Sequence, residues 1–185
     1  MRKVRFADFL NVFGPAWKPA NRRGGRARNR RTWLAPRTES LECRVMLTTI
    51  HVNHLAAAGG NGSADTPFQT IQQGLDDAAA RAGDDVVLVA AGTYAANLSI
   101  NDSSGAVTLA GVDRASVLIN AGGADGISIS QAGNVLISDL RITGGNRGIE
   151  SQSGNLAVSN VDSSGLIGAG IAVFNAGNVF VTNST

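Results

Sequence analysis

Asp139, Arg141 and Glu150 are the residues of this chain whose types and spacing come nearest to a catalytic set. Two carboxyl groups flanking a glycosidic bond can act as general acid and as base or nucleophile, and clustered carboxylates can hold calcium. Asp139 and Arg141 are two positions apart, so on one strand both point outward on the same side, and Glu150 is expected near them in the same part of the fold. Asp113, Arg114 and Arg147 are the other charged residues within reach. Metal binding by histidine is disfavoured: His51 and His54, the only two histidines, are three apart and face opposite sides of a strand. The single cysteine, Cys43, excludes an intramolecular disulfide.

These candidates sit inside a repeat. GISISQAGN begins at Gly126, GIESQSGN at Gly148 and GIAVFNAGN at Gly170, with 22 residues between the successive Gly-Ile pairs. Each block runs into a second one: NVLISDL from Asn134, NLAVSNV from Asn155 and NVFVTNS from Asn178. A fixed short period of strands is the mark of a solenoid. Within the second block Val135 and Ile137 share a strand face, as do Leu140 and Ile142, but the parity slips by one between the pairs. A strand that keeps its apolar side buried cannot do this, so a bend is expected at Ser138-Asp139, and again at Ser159-Asn160. Strands joined by short corners, one circuit per 22 residues, give an all-β coil of parallel strands.

The same alignment makes columns. Asn134, Asn155 and Asn178 form one, and stacked Asn side chains can hydrogen-bond along a ladder. Asp139, Asn160 and Asn183 form another, and Asn and Asp tolerate the left-handed conformation of corners. Gly126, Gly148 and Gly170 suit corners where no Cβ fits. Asp139 thus has an architectural explanation beside its chemical one.

Taken in order, residues 1–47 hold twelve Lys/Arg against three Asp/Glu, a net +9, whereas 48–185 hold four against eleven, a net −7. Residues 21–31, NRRGGRARNRR, carry six arginines and cannot build a core, so 1–47 is read as a disordered basic tail. Nucleic acid is disfavoured as its partner, because aromatics are not interleaved with the arginines. No apolar run approaches the length of a membrane-spanning helix.

The domain at 48–185 opens with a strand at 48–58 and a glycine-rich loop, followed by a helix with Thr66 as N-cap and Pro67 as first residue. Phe68, Ile71, Leu75 and Ala78 or Ala79 recur at helical spacing, Gly83 closes the segment, and the helix is expected to cap one end of the coil. The segment 48–83 therefore forms the N-terminal strand, loop and cap, and 84–185 the circuits, which stop without a capping element, as in a coil truncated at its C-terminus. Val86 to Val89 reads as a buried parallel strand, Gly92-Thr93-Tyr94 as a turn, and Leu98 with Ile100 as a further strand. In AVTLAGV, Val107 and Leu109 are expected inward, with Val112 inward after a bend. The next such block begins only at Asn134, a longer interval than the others, and the surplus is expected as a loop within 113–125. The last strand, with Val179 and Val181, is expected to leave an open edge through which the chain self-associates.

TPFQTIQQGLDDAAARAGDDVVLVAAGTYAANLSI resembles the N-terminal segment of pectate-lyase-like, right-handed parallel β-helix proteins, and the resemblance extends over about 49–185. The chain departs from that pattern at Ala91, where Pro is usual, and at Ala96, where Glu is usual. Leu41-Glu42-Cys43-Arg44-Val45-Met46-Leu47 after an arginine-rich stretch resembles the LExR leader of surface and secreted proteins of planctomycete-type bacteria. The resemblance implies a secreted or cell-surface location and a polysaccharide or cell-envelope partner. Lyases of this group use carboxylates with calcium and an arginine, and its hydrolases use paired acids; many members have no assigned activity. The hydrolase signatures NTD, DD and GHG do not occur here as a set, and no histidine follows residue 54. The expected function is a non-catalytic structural, adhesive or glycan-binding module with no cofactor, since no motif supports calcium. The alternative is a polysaccharide lyase or glycoside hydrolase acting on acidic glycans through Asp139, Arg141 and Glu150.

Overall fold

The computed structural model describes residues 47–175 and 177–185. The basic tail and its leader motif, apart from Leu47, lie outside the described residues. The rest is a β-solenoid of about four turns with one short helix. Every strand pair is parallel.

In the larger sheet β1 (Thr48–Val52), β2 (Asp85–Val89), β5 (Ala106–Gly111), β8 (Asn134–Thr143), β10 (Asn155–Ser164) and β12 (Val179–Thr182) lie side by side in that order. Beside this row, β3 (Gly92–Ala95) pairs with β6 (Val117–Asn120), and β6 with the second half of β8. The smaller sheet stacks β4 (Leu98–Ile100), β7 (Ile127–Ile129), β9 (Ile149–Ser151) and β11 (Ile171–Val173). Asn134 pairs with Asn155 and Leu156 with Val179, so the sequence repeat and the stacking repeat coincide in these turns.

The parity slip is resolved by the bend that the pattern requires. Asp139, Asn160 and Asn183 have φ of 57°, 56° and 51°, a left-handed conformation that short polar side chains tolerate. Val135 and Ile137 before the bend and Leu140 and Ile142 after it are all buried, so one long strand turns a corner while keeping its apolar side inward. The core is a column of Val, Ile and Leu between the two sheets.

Several local readings are corrected. The helix α1 runs Ile71–Ala79, and its N-cap is Thr70 rather than Thr66. Thr70 and Gln73 form a reciprocal capping box, whereas Thr66 closes the preceding loop on Asn61 and Ser63, and Phe68 is drawn into a bridge with Val52. Gly92-Thr93-Tyr94 is part of strand β3, not a turn, because β6 offers it a ladder. Within 86–89 only Val87 and Val89 are fully buried, while Val86 and Leu88 alternate outward. Val112 is 53% exposed, and Val117 is the buried residue that resumes the core. Ala110 pairs with Ser138 but Leu118 with Arg141, so the surplus lies between Ala110 and Leu118, ahead of most of β6, and 117–120 is strand rather than loop.

Candidate functional site

The three chemical candidates do not meet. Asp139 stands at the corner of β8, where its Oδ1 accepts a hydrogen bond from Asn160 Nδ2 at 2.7 Å. Arg141 lies beyond that corner and donates to the Ala115 carbonyl at 3.1 Å, while its Nε is covered and has no partner among the described residues. Glu150 belongs to the other sheet, in β9, and no hydrogen bond or ion pair among the described residues joins it to Asp139 or Arg141. Spacing along the chain overlooked the second corner at 144–148, which carries the backbone from one sheet to the other.

Glu150 is instead the centre of a different cluster. It is 8% exposed although it points away from the core, because Arg147 and Gln152 fold over it. Arg147 Nη1 donates to Glu150 Oε2 at 2.7 Å and lies 3.5 Å from Asp125 Oδ2 on the preceding turn. Gln152 Nε2 donates to Glu150 Oε1 at 2.7 Å. The Arg147 guanidinium also rests over the Phe174 ring at 5.3 Å, a cation–π contact with the following turn. Burial works to raise the Asp125 carboxyl, but the hydrogen bond from Asn146, the charge of Arg147 and its backbone N–H outweigh this and hold it below its ordinary value. Both oxygens of Glu150 are thus engaged and the arginine is shared between two acids, so the cluster ties three turns together and presents no free acid for proton transfer.

The asparagine column forms a continuous chain of contacts. Asn155 Nδ2 donates to Asn134 Oδ1 at 2.8 Å, and the Asn178 backbone N–H donates to Asn155 Oδ1 at 2.8 Å. Beside it on the outer face of the larger sheet, Thr108, Leu136, Ala157 and Phe180 stand in register on four successive strands. Asparagine column and outer row together line a shallow groove of about 330 Å³ that contains no charged side chain. The glycine column leaves no room for a Cβ at two of its positions: one on Gly126 would come within 2.7 Å of the Gly148 carbonyl oxygen, and one on Gly148 within 2.5 Å of that of Gly170. Its φ angles are not positive; the turns simply stack too closely there.

His51 lies in β1, while His54 follows that strand and meets the Tyr94 ring edge-on, with centroids 5.4 Å apart. No group of three or more His, Cys, Asp or Glu that could hold a metal occurs among the described residues. No helix among them is long and apolar enough to cross a membrane. No protein-family model, curated protein or solved structure matches this chain.

Proposed function

We propose that this protein is a non-catalytic glycan-binding module of the pectate-lyase-like β-helix type, displayed outside the cell behind its basic leader, and that a neutral sugar chain lies along the uncharged groove. The observation that carries this reading is the pairing of two rows along the groove. Asn134, Asn155 and Asn178 supply amides that exchange hydrogen bonds with sugar hydroxyls, and Leu136 and Phe180 supply an apolar floor for the sugar's C–H faces. Phe180 is 66% exposed, a large apolar surface open to a ligand. The absence of charge from this lining favours neutral over acidic glycans. Electrophoresis through gels cast with neutral glucans, or with polygalacturonate, tests it: retardation by the former, lost in Phe180→Ala, is the expected result. Release of reducing or unsaturated ends from polygalacturonate would instead support the lyase or hydrolase reading.

A second reading is favoured by the last turn. A recess of about 200 Å³ lined by Val161, Ile171 and Val181 leaves core positions uncovered among the described residues, and β12 has an unpaired edge there. Such an edge is a template for pairing with another copy. Light scattering should then give a mass that rises with concentration, and Val181→Asp should lower it.

A further inference from the structure

We propose that Asp85 and Asp102 form a buried site for a hard divalent cation of the calcium type, set between the cap helix and the first full turn of the coil. Asp85 opens β2 on the inward side, in register with Val107, and the column continues through Val135, Leu156 and Val179. An aspartate in that apolar column has no architectural role of the kind that explains Asp139. Asp102 lies in the turn between β4 and β5. Both residues are 2% exposed, and each keeps its Oδ2 covered and without a hydrogen-bond partner among the described residues.

The segments that carry the two carboxyls lie against each other. Ala106 N–H donates to Asp84 Oδ1 at 2.9 Å, and a Cβ on Gly105 would collide with the Gly83 carbonyl oxygen, so the turn at 102–106 lies directly on 81–85. No hydrogen bond joins Asp85 to Asp102 among the described residues, so one shared proton does not satisfy both orphan oxygens. The surroundings are rich in acceptors. Ser104 Oγ has one proton and lies 2.5 Å from Asp102 Oδ1 and 2.6 Å from the Arg81 carbonyl oxygen. That carbonyl follows the C-terminus of α1, where the helix dipole is negative. Asp77 adds a further negative charge, and Arg81, the cation among the described residues whose charge acts on Asp85, is shared with Asp77 at 2.7 Å. Burial of two carboxylates whose described counter-charge, Arg81, is shared with Asp77 is costly, and a hard cation with carboxylate, carbonyl and water oxygens around it supplies a further one. Only two carboxylates take part, which places the expected affinity in the weak range of extracellular modules, with Kd on the order of 0.1–1 mM.

Thermal melting of the full chain in calcium and in chelator tests this. Calcium at about ten times the expected Kd should raise Tm by a few degrees, and terbium luminescence should report one ion per chain. Asp85→Asn and Asp102→Asn should each abolish the calcium response. Both should fold in chelator at least as well as the natural chain, since each removes one buried carboxylate. Identical melting of the natural chain in calcium and chelator, with no terbium signal, would overturn the proposal and leave water between the acids. A calcium shift that persists in both variants would overturn it by placing the ion elsewhere.

Discussion

Val87 and Val181 occupy the same inward position of the coil, linked step by step through Leu109, Ile137 and Val158. Val87 is fully buried and Val181 is 49% exposed. The residue type, the alternation and the ladder are alike at the two ends. What differs is the cover: Ile71, Gly74, Leu75 and Ala78 of α1 are buried, and Gly74 lies so close to Val52 and Val87 that a Cβ there would come within 3.0 Å of both. A solenoid turn buries its core only against a neighbouring turn or a cap, so inward pattern is necessary for burial and not sufficient.

The sharpest way to break this contrast is to charge each end. Leu75→Asp puts a carboxylate against the covered end and should cost more than about 3 kcal/mol, visible as a large fall in Tm. Val181→Asp, at the equivalent depth of an uncovered turn, should cost less than about 1 kcal/mol in the same melt. Equal losses would mean that the last turn is covered in solution.

The glycine column gives a smaller version of the same test. A methyl group on Gly148 meets the carbonyl oxygen of Gly170, whereas on Gly170 the nearest atom is Ser163 Cβ at 3.4 Å. Gly148→Ala should therefore destabilise by about 1–3 kcal/mol in urea unfolding, and Gly170→Ala by much less.

Asp125 links two interior turns and sharpens the comparison through pH. Its carboxyl is held below the ordinary 3.8 in the folded chain, so its contribution to stability is present above that value and lost as pH falls through the folded one. Asp125→Asn should lower stability above that value and flatten this acid limb, while leaving stability at the acid end nearly unchanged. An acid limb that keeps its slope in the variant would assign the proton uptake to another group.

The smallest effect is expected at Asp139. Asn already fills the equivalent corners at 160 and 183, both left-handed. Asp139→Asn should change stability by less than about 0.5 kcal/mol, since the Asn carbonyl can accept the hydrogen bond from Asn160 as Asp139 does. Loss of any glycan-cleaving activity in this variant would restore a catalytic role to Asp139.

The bends at Asp139 and Asn160, the inward Val, Ile and Leu positions, and the asparagine and glycine columns were legible in the linear pattern. Each follows from a rule of one or two residues: side chains alternate along a strand, and a parity slip demands a corner. Other features depend on what a neighbouring turn presents. Thr70 caps α1 because Phe68 is claimed by Val52, and Gly92–Ala95 is a strand because Val117–Asn120 lies beside it. Glu150 meets Asp125 and Arg147 rather than Asp139 because a second corner moves it to the other sheet. The Asp85–Asp102 pair is invisible in the linear order, since strands β3 and β4 come between its members. Local rules act along the chain, whereas these contacts run across it at the spacing of stacked strands, and only the stacked register decides which side chains share that space.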